Sequence, residues 1–201
     1  MAVAPFAIIA GPGKVWAKSL GVGGSPITMP GVEIAEDATE AIPTTSWAAE
    51  DFMGRTEGGV TVRNPQSVEL LYVDQVILPL KGIRTEASLE IEYQIAEITL
   101  ERYAKLMNDA LVTTAAGPPA VKHFRFPAST EVVRFSVLVR FPSPYENTRA
   151  QIEIPVAIMS GEPEMTFVKD DKATLSVTWQ GLEDPANLGT FGRIIAKTSA
   201  G

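Results

Sequence analysis

Cysteine is absent from the 201-residue chain, which excludes disulfide scaffolds, zinc–thiolate sites, iron–sulfur clusters and thiol catalysis together. A single histidine, His123, leaves neither a multi-histidine metal site nor a histidine relay. No apolar run approaches the roughly 20 residues that a membrane-spanning helix requires. Cations are in deficit: 17 Lys and Arg stand against 24 Asp and Glu, for a net charge of −7. That balance argues against a protein that grips nucleic-acid phosphates over a broad face. What is present is ample apolar material. Hydrophobic residues make up 45% and charged residues 20%, so bulk disorder is excluded and one domain of generous size, residues 1–201, is expected.

Period-two alternation dominates the pattern. Glu86, Ser88, Glu90, Glu92 and Gln94 are polar, and Ala87, Leu89, Ile91, Tyr93 and Ile95 between them are apolar. Successive side chains of a strand point to opposite faces, so this segment has a dry face and a wet, acidic one. Gln151 and Glu153 alternate in the same way with Ile152, Ile154, Val156 and Ile158. Val133 to Phe141 alternates with Arg134, Ser136 and Arg140, Leu138 breaking the polar side, and Leu175, Val177 and Trp179 alternate with Thr174 to Gln180. Val68 to Pro79 is a further β-rich run, in which Pro79 suits an edge or a bulge. The expectation is a mostly-β protein, an antiparallel sandwich or barrel-like fold.

One segment departs from that rhythm. Leu100, Tyr103, Ala104, Met107 and Leu111 fall on one side of a helix over about 98–111, capped by Thr99 and carrying a Glu101–Lys105 pair. A lone helix with one apolar stripe must bury it against a sheet. Two stretches lie outside the core pattern: a long Gly/Pro-rich loop over 19–49 with acids at Glu33, Glu36, Asp37 and Glu40, and an arm over 184–201 carrying Phe191, Ile194 and Ile195. Connections as long as the first are uncommon inside compact domains. The opening Met1–Ala10 has no Lys or Arg ahead of its apolar residues, so it reads as a strand and turn rather than a secretion signal.

Motifs of chemistry are weak. Gly11-Pro-Gly-Lys14 is too short for a phosphate-binding loop, and Val15 stands where a hydroxyl residue would be needed. His123 has no nucleophile or orienting acid at a telling spacing. The acids at 33–40 and at Glu162, Glu164, Asp170 and Asp171 lack the calcium-loop pattern. Glu86, Glu90 and Glu92 could place two carboxylates at a glycosidase separation, but an acidic strand face is the simpler account. No catalytic group, cofactor or metal site is expected.

The order of segments nevertheless carries a resemblance. Gly11-Pro-Gly-Lys-Val-Trp16 is followed by the long loop. Trp47 leads into Gly54-Arg-Thr-Glu-Gly-Gly-Val60, similar to a "W…lG.t.eGv" stretch. Val73-Asp-Gln-Val-Ile-Leu-Pro79 precedes the alternating strand and then Ile98-Thr-Leu-Glu-Arg-Tyr-Ala-Lys-Leu-Met-Asn108, before a strand-rich half that ends near Asp184-Pro185. Together these resemble the major tail tube proteins of long, non-contractile bacteriophage tails (siphovirus type). The resemblance implies a structural virion protein, not an enzyme, assembled in the host cytoplasm. Its subunits form hexameric rings that stack into a hollow tube. It also implies sheets joined around the bore through which genomic DNA passes unbound, and partners in the tape measure, tail terminator and tail tip proteins. Glu86, Ser88, Glu90, Glu92, Gln151 and Glu153 are then expected to face the bore. Glu33, Glu36, Asp37, Glu40, Phe191 and Ile194 are expected between rings. Two alternatives stay open: another virion ring component, such as a terminator or capsid decoration, and a monomeric β-sandwich module that binds a ligand through Trp16, Trp47 or Trp179.

Overall fold

The alternating segments become strands of one antiparallel sheet. A computed structural model describes residues 13–30, 46–73, 76–117, 119–142, 149–164 and 173–196. Among them β1 spans Lys14–Gly21, a 3-10 turn spans Ala49–Asp51, and β2 to β5 span Thr56–Arg63, Gln66–Val73, Val76–Ala87 and Glu90–Ile95. Helix α1 covers Leu100–Leu106, followed by β6 (Val112–Ala115), β7 (Val121–Phe124), β8 (Arg134–Pro142) and β9 (Arg149–Met159). The last two strands are β10 (Leu175–Gly181) and β11 (Arg193–Ala196). The main sheet runs β1-β8-β9-β10-β5-β2, with β11 added to β9, and β3-β4 and β6-β7 form two separate ribbons. The fold is mostly β, antiparallel, with one short helix.

The dry sides of the strands converge. Val15 and Ala17, Ile91 to Ile95, Phe135 to Val139, Ile152 and Ile154, and Leu175 to Trp179 supply one core. Full burial of each large apolar side chain stabilises by about 1.5–3 kcal/mol. An irregularity where Phe135 pairs Ala157 but Val137 pairs Ile154 gives β9 one extra residue. This turns Ile152, Ile154 and Ala157 all toward the core despite their mixed parity. The sheet curls until its margins approach: a Cβ on Gly13, just ahead of β1, would sit 2.9 Å from Val60 of β2, and Thr56 Oγ1 donates to the Gly13 carbonyl at 3.2 Å. Met53 N–H reaches Val15 O at 2.9 Å. No ladder joins β1 to β2, so the sheet is not a closed barrel.

The far side of β1, β8 and β9 is covered as well. Trp16, Trp47 and Leu138 are buried there with Ile27, Met29 and Phe52. Leu138 interrupts the polar positions of β8 because a second apolar layer lies over it. The segment 22–30 thus belongs to the fold, and β1 extends to Gly21, into what the sequence reads as loop.

In the core, Trp179 Nε1 donates to Tyr93 Oη at 3.0 Å. Burial pushes the Tyr93 phenol above its ordinary value, and the indole bond lowers it only in part. A raised phenol gives stability that is complete below pH 10.0, its ordinary value, and is lost as the unfolded chain ionises above it. Thermal melts above about pH 10 should therefore fall steeply. Tyr93→Phe should flatten that slope while lowering stability at neutral pH by about 1 kcal/mol, from the orphaned indole N–H.

Helix α1 closes one end of the curl. Leu106 joins the core, and Tyr103 meets Phe124 edge-on at 5.6 Å. Thr99 caps the helix as expected, its hydroxyl accepting from Arg102 N–H at 3.2 Å. The helix is shorter than 98–111, because Asn108 and Asp109 adopt left-handed φ of 59° and 53°, a conformation that ends helices. Leu111 is left exposed. The expected Glu101–Lys105 pair is not made. Glu101 pairs with Lys122, and Lys105 Nζ turns inward to Asp51 Oδ1 at 3.0 Å and to the carbonyls of Ala17 and Glu50.

The C-terminal arm lies on its own sheet. Buried Asp184 organises the turn that leads to it, accepting from Ala186 N–H at 2.9 Å and Asn187 Nδ2 at 2.8 Å. β11 then pairs with β9 from Arg193↔Glu153 to Ala196↔Ala150. The entry is possible only for glycine: Gly192 has φ of 147°, and a Cβ there would lie 2.1 Å from the Glu153 carbonyl oxygen. Met1–Ala10, Glu33, Glu36, Asp37, Glu40, Asp170, Asp171 and residues 197–201 lie outside the described residues.

Candidate functional site

The alternation from Glu86 to Ile95 is split between two strands. Asn64-Pro65 follows β2, and Ser88-Leu89 precedes β5. Proline has no N–H to give a ladder, and Ser88 N–H donates to the Pro65 carbonyl at 3.0 Å instead. Beyond that break the β2/β5 ladder continues outward as β3 and β4, from Gln66↔Ala87 to Val73↔Val76. Among the described residues these two strands pair only with each other. Pro79 stands on β4, a strand with one open side, where a proline is tolerated.

The ribbon has a distinctly apolar side. The register sets Val68 opposite Arg84 and Leu70 opposite Gly82, and Tyr72, Leu78 and Leu80 are exposed farther out, where the register shifts and β4 carries extra residues between Lys81 and Val76. Val68 and Leu70 lean over Gly82, where a Cβ would meet their methyls at 3.3 and 3.6 Å. Exposure runs from 47% at Leu70 to 72% at Leu78. The opposite side mixes Glu69 and Lys81 with Leu71 and Ile83. A two-stranded ribbon alone is at best marginal in water, and contiguous exposed apolar strips are uncommon on monomeric proteins. The strip comes from residues that a sequence reading takes as ordinary strand; nothing in the pattern says that they stand exposed among the described residues.

The six residues expected to face the bore fall into three settings. Glu86 is exposed on the ribbon, with Ser67 Oγ at 3.5 Å, and Ser88 sits at its base. Glu90 and Glu92 are half-buried on β5, opposite Gln180 and Thr178 on one side and Arg63 and Thr61 on the other. Arg63 Nη1 donates to Glu92 Oε1 at 2.9 Å, which tempers the acidic character of that strand. Gln151 and Glu153 share that sheet side by register but are buried, at 0% and 1% exposure.

Around those two lies a polar cluster that alternation alone could not show. Gln151 Nε2 donates to Glu153 Oε1, and Arg193 Nε on β11 donates to Glu153 Oε2 at 2.7 Å. Arg140, on β8 opposite Gln151, stacks over Trp16 with its guanidinium carbon 5.5 Å from the ring centre. Burial draws the Arg140 guanidinium below its ordinary value, and the Glu153 charge partly restores it. The cluster pins the last strand to the sheet. A cleft of about 450 Å³ opens beside it between Pro26, Met29, Asn187 and Arg193.

Of the residues expected between rings, Phe191 is half-buried and Ile194 is exposed on β11. His123 is exposed on β7. Trp16, Trp47 and Trp179 are all buried, so a ligand site built on these tryptophans is not formed. Among the described residues no three His, Asp or Glu side chains gather as metal ligands, and no helix is long and apolar enough to cross a membrane. No protein-family model matches the chain, and no curated protein matches it in sequence.

Proposed function

We propose that this chain is a structural subunit that self-assembles, as hexameric rings stacked into a phage tail tube whose bore conducts DNA. The single observation behind this reading is the β3–β4 ribbon, which exposes apolar side chains and whose two outer edges pair with no other strand among the described residues. Open edges invite pairing with other chains unless blocked, and fusion around an axis removes them. The three buried tryptophans weigh against the ligand-binding alternative.

In this reading Glu86, Glu90 and Glu92 are the bore-facing acids, and repulsion of DNA phosphates acts within a Debye length of about 10 Å. Gln151 and Glu153 hold the subunit together instead. Electron microscopy of concentrated protein, beside light scattering, tests the proposal. Hollow filaments are expected, since the ribbon supplies contacts in every copy. Assemblies that stop at one ring would replace it with a terminator-like role. A chain that stays monomeric at every concentration, even when seeded with preformed tail tips, would remove it.

A further inference from the structure

A second apolar surface lies away from the ribbon. Where α1 ends, a cleft of about 310 Å³ is lined by Met107, Phe126, Pro127, Val132, Met159 and Pro163, among others. Phe126 and Val132 stand open at its rim, 73% and 53% exposed. Glu131 lines it too, and Glu162 and Glu164, both exposed, flank Pro163. The rim is therefore acidic. The ribbon's apolar side carries one cation, Arg84, opposite Val68. One surface projects and bears that arginine; the other is recessed and bordered by carboxylates. Among the described elements the ribbon strands pack chiefly on each other, and both surfaces are exposed to solvent among the described residues.

We infer that the apolar side of the β3–β4 ribbon of one copy docks into the α1-end cleft of a second copy. Arg84 then meets the carboxylates of Glu131, Glu162 and Glu164. The inference rests on the reading of the chain as a self-assembling subunit and adds which surface receives the ribbon. Because the two surfaces differ, the contact is head-to-tail, and such contacts generate rings or filaments. The apolar side of one ribbon packed face to face on the same side of another would instead be self-complementary and stop at a dimer.

Two variants and their mixture test the contact. L78D/L80D alters exposed positions of the ribbon and should melt like the parent, and F126D/V132D alters the cleft rim and should melt slightly lower, because Phe126 also meets Phe124 and Tyr103 edge-on at 5.0 and 6.3 Å. Each variant alone should associate roughly thirtyfold or more weakly, the change expected for losing an interface hot spot. Mixed in equal amounts, they retain one intact ribbon and one intact cleft per pair, and sedimentation should show a dimer that grows no further. If the cleft variant assembles like the parent while the ribbon variant does not, this inference fails and self-assembly stands. A mixture that stays monomeric also overturns the inference. A parent chain that never associates removes the reading beneath it as well.

Discussion

Excising residues 66–87 should yield a soluble, folded monomer that forms no assemblies at any concentration. The deletion leaves Asn64, Pro65, Ser88 and Leu89 as a four-residue connection between β2 and β5. The Ser88 N–H to Pro65 carbonyl bond at 3.0 Å already holds the two ends together. Arg63↔Glu90 remains the last rung of the ladder, so the sheet keeps every partner in its core. Loop-closure entropy changes slowly with length, about 0.6 kcal/mol per doubling, so a shorter connection costs nothing and removes an exposed apolar strip. The melting temperature should stay within a few degrees of the parent, and light scattering should show no growth. Filaments from the shortened chain would contradict the role given to the ribbon.

Replacing Glu153 by leucine should be the most destabilising single change on the sheet's polar side. Removing one member of a buried ion pair strands its partner and costs about 3–5 kcal/mol. Arg140 would lose the carboxylate that offsets its burial, and Arg193 would lose its bond to Glu153 Oε2. For a domain of this size each kcal/mol is worth about 2–4 °C, so a fall of roughly 10 °C is expected. Hydrogen exchange should show β11 opening first. Arg193→Ala leaves Glu153 with Gln151 and the charge of Arg140 and opens its Oε2 toward water, so it should cost less than E153L, about 1–3 kcal/mol. Converting Arg140 and Glu153 together to Met and Leu should recover much of the loss, as whole buried clusters do when made apolar. Equal melting of E153L and the parent would show that the cluster contributes nothing.

Much of the fold is legible in the sequence because strands with one dry side announce themselves. Ile91-Tyr93-Ile95, Phe135-Val137-Val139 and Leu175-Val177-Trp179 all face the core they were expected to share. Thr99 marks the start of α1 because a hydroxyl cap is a local event. Its end was not legible, since the turn at Asn108 and Asp109 depends on the chain heading away to β6. The buried cluster was misread for a related reason. Alternation identifies the polar side of β9, but whether water reaches it depends on Ile27, Met29 and an arginine forty positions later. The ribbon's apolar strip is the converse case, apolar residues with nothing above them among the described residues. Period and composition describe sides, and only tertiary structure says what lies against them.

The meeting of Gly13 with Val60 has a mechanical corollary. The join between the outermost strands is held by methyl contacts, a hydroxyl and a few main-chain bonds near Met53 rather than by a continuous row of amides. In an assembly of the kind proposed, radial strain would part the wall there first, with the remaining ladders intact. Such a subunit would adjust its girth as a split washer does, absorbing a misfit between neighbours that a fully stitched cylinder would pass on.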